Sequence, residues 1–209
     1  MAESKIQNFN HLKIHSQYSI CEGAIKIDDL KEFSKENKLK AVALCDTINL
    51  CGALEFAEKI SKVGTQPIIG TQINFKFSDT IGLLPLYALN EKGYKRIIEL
   101  SSLSYLKNTG LSEPHLDFDE LFKESNEGVA LFSGTVNGLF GQLFDKGKFS
   151  EIKELYQKLK SNYGDSFYIE IQRHNDQNET GFEKFNLSKS LELKIPLIAT
   201  HEVFYIHQN

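Results

Sequence analysis

The stretch Ala41-Val42-Ala43-Leu44-Cys45-Asp46 sets the architecture. Five apolar residues in a row read as a short strand buried on both faces, and a carboxylate follows at once. Beyond it, Leu50, Ala53, Leu54, Ala57 and Ile60 recur at helical spacing, and Gly64 suits the turn that ends a helix. Pro67-Ile68-Ile69-Gly70-Thr71-Gln72-Ile73 then supplies another strand. Strand, helix and strand in that order are the unit of a parallel sheet with right-handed crossovers.

The same unit extends in both directions. Upstream, residues 10–15 alternate as a strand does, so Lys13 and His15 share one face while Leu12 and Ile14 share the other. Residues 27–37 place Leu30 and Phe33 on one side among Asp, Lys and Glu, which predicts an amphipathic helix with acidic residues in its first turn. Downstream come a strand over 83–89, a helix over 94–106, a less regular stretch over 107–114 and a short helix from near Asp117. Strands over 128–133, 167–172 and 195–200 alternate with helices over 149–163 and 182–193. The predicted class is α/β. Seven strands imply a closed or nearly closed parallel β/α barrel of the TIM-barrel kind, with an open doubly wound sheet as the alternative. A single domain over 1–209 is expected.

Composition narrows the function classes. A net charge of −4, with basic residues interleaved among acidic ones, gives no footprint for gripping a polyanion, so independent nucleic-acid binding is not expected. Cys21, Cys45 and Cys51 have no Cys-x-x-Cys spacing, which argues against a zinc ribbon and a disulfide framework. The polar residues 1–8 carry no secretion signal, and no apolar run is long enough to span a bilayer. A reduced, cytoplasmic protein away from the membrane is the expectation. No strand is followed by Gly-x-Gly-x-x-Gly, and no phosphate loop is present.

In a parallel barrel the chemistry gathers where strands end. Those positions here hold His15, Asp46, Gln72, Thr135, Gln172, His174, His201 and Glu202. Imidazoles and carboxylates of this kind can hold cations that polarise a phosphoryl oxygen and activate water. A barrel rim is also polar simply because it faces water, and no tight ligand spacing chooses between the two. Histidines at both Lys13 and His15 would be two same-face ligands, but Lys13 is a cation that repels what His15 would bind. Glu170 and Gln172 share a strand face and could serve structure equally well. His11 and His115 read as surface or packing residues, and His207 as part of a tail.

Several phrases, in order along nearly the whole chain, resemble the polymerase and histidinol phosphatase (PHP) domain in the form that begins the alpha subunit of bacterial DNA polymerase III. They are Phe9-Asn10-His11-Leu12-Lys13-Ile14-His15-Ser16-Gln17-Tyr18-Ser19, Ala43-Leu44-Cys45-Asp46-Thr47-Ile48-Asn49-Leu50 and Lys62-Val63-Gly64-Thr65-Gln66-Pro67-Ile68-Ile69-Gly70. Asn90-Glu91-Lys92-Gly93-Tyr94 and Ala199-Thr200-His201-Glu202-Val203-Phe204-Tyr205 complete the set. The resemblance implies a distorted seven-stranded β/α barrel and, in active members, a metal cluster held by nine side chains.

Carried over position by position, that ligand set is degenerate. His15 remains, Lys13 takes the place of its partner histidine, and Glu22 stands for an Asp. Thr47 replaces a His, Gln72 a Glu, Leu83 a His, and Thr135 the Cys of a Ser-Gly-Cys motif. Glu202 replaces an Asp and Phe204 the final His. Only His15, Glu22 and Glu202 keep ligand chemistry, so no metal and no cofactor are expected. In the metal's place, Lys13 is expected to pair with Glu22, Asp46 or Glu202. A reduced single-metal site using His15, Asp46, His174, His201 and Glu202 is the weaker alternative.

The resemblance therefore implies a non-catalytic PHP segment at the N-terminus of a much longer DNA-directed DNA polymerase subunit. Its expected partners are the remainder of that alpha subunit and the proofreading exonuclease subunit, with DNA reached only through the parent polymerase. The competing reading is a phosphoesterase or 3′–5′ exonuclease dependent on zinc, manganese or magnesium. A free-standing histidinol phosphatase fits the polymerase-like phrases less well.

Overall fold

The computed structural model describes residues 9–108 and 113–206, and His207 lies outside them. Among the described residues nine strands form one sheet in the order β8-β7-β6-β4-β3-β2-β1-β9, with β5 added beside β3. The strands are β1 (Lys13–Ile14), β2 (Ala41–Thr47), β3 (Gln66–Phe77), β4 (Thr80–Ala88), β5 (Leu116–Asp117), β6 (Val129–Phe132), β7 (Phe167–Ile171), β8 (Leu197–Ala199) and β9 (Glu202–Val203). All seven expected strands are present, and the two-residue β5 and β9 are additions. The ends of the sheet, β8 and β9, are joined by Thr200 and His201 alone, so the sheet curls until its two ends lie side by side.

The sheet is mixed rather than wholly parallel. β4 runs antiparallel to both neighbours, from Gly70↔Tyr87 to Phe77↔Thr80 on one side and from Leu86↔Leu131 to Ala88↔Val129 on the other. The cause is the connection: only Ser78 and Asp79 separate β3 from β4, with Ser78 at φ 55°. Two residues make a hairpin, whereas a parallel crossover needs a dozen or more.

Alternation along β2 shows how the layers arise. Val42 and Leu44 face Ile27 and Leu30 of α1 (Ile27–Glu36) and Phe56 and Ile60 of α2 (Ala53–Ser61). Ala43 and Cys45 point the other way, into a cluster with Tyr87, Ala130 and Phe132 that Leu12, Tyr168 and Ile198 complete. Residues from β2, β4, β6, β7 and β8 meeting on one face define the inside of the curl. A larger outer core packs α3 (Glu91–Leu106), α4 (Leu139–Asp145), α5 (Phe149–Tyr163) and α6 (Glu179–Leu193) against the sheet. α4 was not expected, since its residues Leu139-Phe140-Gly141-Gln142-Leu143-Phe144 lack a polar cap and give no amphipathic period.

The Asn90-Glu91-Lys92-Gly93 phrase has a local explanation. Asn90 caps α3, its Oδ1 accepting the Gly93 N–H at 3.0 Å. A Cβ on Gly93 would sit 1.8 Å from the Gly128 carbonyl oxygen, which also accepts the Leu89 N–H at 2.7 Å. Helix and strand approach this closely only because no side chain intervenes. Gly93→Ala is therefore expected to destabilise the fold by about 1–3 kcal/mol, seen as a lower urea midpoint with an unchanged slope.

Candidate metal-centre position

Cross-strand register brings the opening motif to the end of the barrel. Lys13 of β1 lies opposite Glu202 of β9, so their side chains share a face. The Lys13 side chain is fully buried; its Nζ lies 2.8 Å from Glu202 Oε1 and 3.4 Å from Glu170 Oε1 of β7. Burial opposes the ammonium's charge, but Glu170 and Glu202 outweigh it and hold the Lys13 pKa above its ordinary value. Glu202 is likewise disfavoured by burial, yet Lys13 draws its carboxyl below the usual range. Of the three expected partners of Lys13, Glu202 is realised, and Glu170 stands in place of Glu22 and Asp46. Glu170 is itself fixed by Thr200 Oγ1 and by Gln172 Nε2 at 3.1 Å.

His15 fills the next position, walled in on several sides. Its ring stacks on Phe204 with centroids 4.6 Å apart and planes at 19°. Nδ1 lies 3.5 Å from Ser19 Oγ and 3.4 Å from Thr47 Oγ1. Those hydroxyls donate elsewhere, Ser19 to Asp46 Oδ1 at 2.8 Å and Thr47 to Glu22 Oε2 at 2.6 Å, so their oxygens are left to accept from Nδ1–H. Nε2 then faces the Gln72 amide at 3.5 Å. Burial, reinforced by Lys13, lowers the His15 pKa and favours this neutral ring, against the opposing pull of Glu202. Asp46 is consumed by Ser16, whose N–H donates to Oδ1 at 2.7 Å and whose hydroxyl donates to Oδ2 at 2.8 Å.

Lys13, His15, Glu22, Thr47, Gln72, Glu202 and Phe204 thus form one cluster. Thr135 lies across an open cleft of about 520 Å³ that Glu202 and Phe204 also line. His174 and His201 line the same cleft as a separate stack with centroids 4.2 Å apart, and His174 Nε2 bonds Gln172 Oε1 at 3.1 Å. Burial and then His174 lower the pKa of His201, favouring a neutral ring there too. Leu83 is half-buried on β4, on the opposite face from the outer-core residues Leu84 and Leu86. Sequence reasoning missed Ser16 and Ser19 as the holders of Asp46, and missed Glu170 as a partner of Lys13. The signal for Glu170 was an acid inside the apolar run Phe167-Tyr168-Ile169-Glu170-Ile171, where an unpaired charge is costly.

A family model described as the PHP domain matches residues 11–174. The chain belongs to the PHP domain family. It is 34% identical to the DNA polymerase III subunit alpha of Caulobacter vibrioides, over 98% of this chain and 18% of that protein. The corresponding protein of Rickettsia felis is 36% identical over 94% of this chain and 16% of its own length. This PHP chain therefore spans less than a fifth of the curated relatives it matches. Among solved structures it resembles a protein classed as a metal-dependent phosphoesterase from Bifidobacterium adolescentis, with TM-score 0.50 and 13% identity over 94% of this chain and 88% of that one. An amidohydrolase from Chromobacterium violaceum matches equally, with TM-score 0.50 and 12% identity over 93% and 87% of the two chains. At such identity these neighbours speak for the barrel-like fold alone.

The residues present here do not fit a metal of the kind that the phosphoesterase neighbour is named for. The Glu202 oxygen nearest His15 Nε2, at 4.0 Å, is the one that meets the Lys13 ammonium. A divalent ion between His15 and Glu202 would face a fixed cation, and Phe204 covers one face of the imidazole. Among the described residues no group of three or more His, Cys, Asp or Glu side chains stands close enough to hold a metal ion.

Two outcomes test this geometry. Lys13→Met leaves the buried Glu170 and the partly exposed Glu202 uncompensated and is expected to cost about 3–5 kcal/mol in urea unfolding, whereas adding Glu170→Gln and Glu202→Gln to it restores most of the loss. A second test uses pH. Because the folded His15 pKa is lowered, the unfolded chain binds the extra proton, so stability falls as pH drops below about 6.5 towards the folded value. Glu202, depressed in the fold, loses its contribution at still lower pH, as its own folded value is passed. His15→Gln should reduce the slope of stability against pH in the upper window and leave the lower limb in place.

Proposed function

We propose that this PHP domain is a non-catalytic platform within a DNA polymerase III alpha subunit, supporting the polymerase body and docking the proofreading exonuclease subunit. The observation that carries the reading is the Lys13 ammonium, buried between Glu170 and Glu202 where the family resemblance places a metal-binding histidine. Thr47, Gln72, Leu83, Thr135 and Phe204 stand at further ligand positions of the same resemblance and make the site vestigial. The similarity to alpha subunits over 94–98% of the chain supports the parent assembly. DNA is reached through that parent, consistent with the net charge of −4. Among the described residues no helix is long and apolar enough to cross a membrane.

The second reading, a phosphoesterase or 3′–5′ exonuclease using zinc, manganese or magnesium, is favoured by the open cleft beside Glu202 and the three imidazoles, His11, His174 and His201, around it. It needs cations beside Lys13, which the ion pair opposes. The deciding experiment is elemental analysis after purification without chelator, paired with a phosphodiesterase assay in added manganese and zinc. Substoichiometric metal and no turnover are expected. Stoichiometric metal with activity that disappears in His15→Ala would replace the platform reading with the enzymatic one.

A further inference from the structure

We infer that the groove between α5 and α6, on the outer surface of the barrel, is the docking site for an acidic segment of a partner protein that carries an aromatic anchor. This rests on the platform reading above and names the surface and the chemistry of the partner.

The groove holds about 510 Å³. Its floor is aromatic: Phe144 meets Phe149 and Phe185 at centroid distances of 5.1 and 5.5 Å, and Phe149, at the first position of α5, is 48% exposed. Its rim is basic, formed by Lys153, Lys184 and Lys189. Apolar surface beside a rim of net positive charge is the anatomy of a recognition pocket with an anchor at its centre. Charge complementarity selects the partner. The chain itself already places one carboxylate on this rim, since Glu192 lies between Lys153 and Lys189, whose hydrogen bonds pull its carboxyl down to about 2. Lys184 makes no ion pair among the described residues, so a cation remains on offer.

A single-stranded nucleic acid also combines positive charge with rings, but the geometry favours a peptide. The rings pack against one another at 61° and 55°, and Lys189 Nζ stands 5.6 Å above Phe185, so no series of free flat faces is presented for stacking bases. The three rim lysines all line this one pocket.

The test is fluorescence anisotropy on the full chain with a labelled synthetic peptide of alternating Asp and Ser around a central Phe. The expected result is saturable binding, weakened about tenfold by Phe149→Ala or Lys184→Glu and by Phe→Ala in the peptide, and weakened by added salt. Both substituted side chains are exposed, so circular dichroism should show an unchanged fold. Absence of binding, binding indifferent to these changes, or displacement by an oligothymidylate of equal length would overturn the inference. The platform reading fails separately: it falls to stoichiometric metal with turnover, whatever the peptide does.

Discussion

A lysine ammonium with no access to water sits between two carboxylates at the point where β1, β7 and β9 converge, and the site is arranged around that contact. Charges placed in a barrel interior lose their hydration, and the attraction between close opposite charges offsets that loss. Lys13 has Glu202 directly across the ladder and Glu170 from the far side of the curl. Glu170 is in turn gripped by Gln172, just past the end of β7, and by Thr200 in the turn between β8 and β9. The contact therefore spans the seam where the two ends of the sheet lie side by side.

Below this layer the interior is apolar and inert. Cys45 is fully buried, and its thiol is pushed up to about 12, chiefly by burial, so it is no nucleophile near neutral pH. Tyr87 is also raised well above its ordinary value by burial, and its hydroxyl donates to the Leu12 carbonyl at 2.8 Å. Gly70 makes room for that ring, because a Cβ there would lie 2.4 Å from it. Above the layer, His15 is held neutral by its surroundings and covered by Phe204. His15 and Asp46 keep chemistry-bearing side chains, but both are engaged by neighbouring hydroxyls of the chain.

Periodicity carried most of the fold. The buried strand at 41–45, the amphipathic helices and the order of elements follow from local patterns, because one face or both must be apolar for a layer to pack. The direction of β4 did not, since the hairpin turn Ser78-Asp79 lacks the Asn-Gly or Gly-rich signature of a tight turn. Asn74-Phe75-Lys76-Phe77 continues the alternation of β3 well past Ile73, and that continuation was the available hint. For the site, strand alternation was enough to pair Lys13 with His15 on one face. Glu170 is more than a hundred residues away in sequence, and its meeting with Lys13 is a product of curling that no local pattern encodes.

Metal ions that knit strands together are held only as firmly as the surrounding supply of free ion allows. The positive charge at this seam is different in kind, because it is covalently part of β1. It cannot be diluted away, stripped by a competing ligand or exchanged for the wrong element, and it arrives with the nascent chain as soon as Lys13 is synthesised. The Lys13 contact with Glu170 and Glu202 therefore forms without drawing an ion from the surroundings.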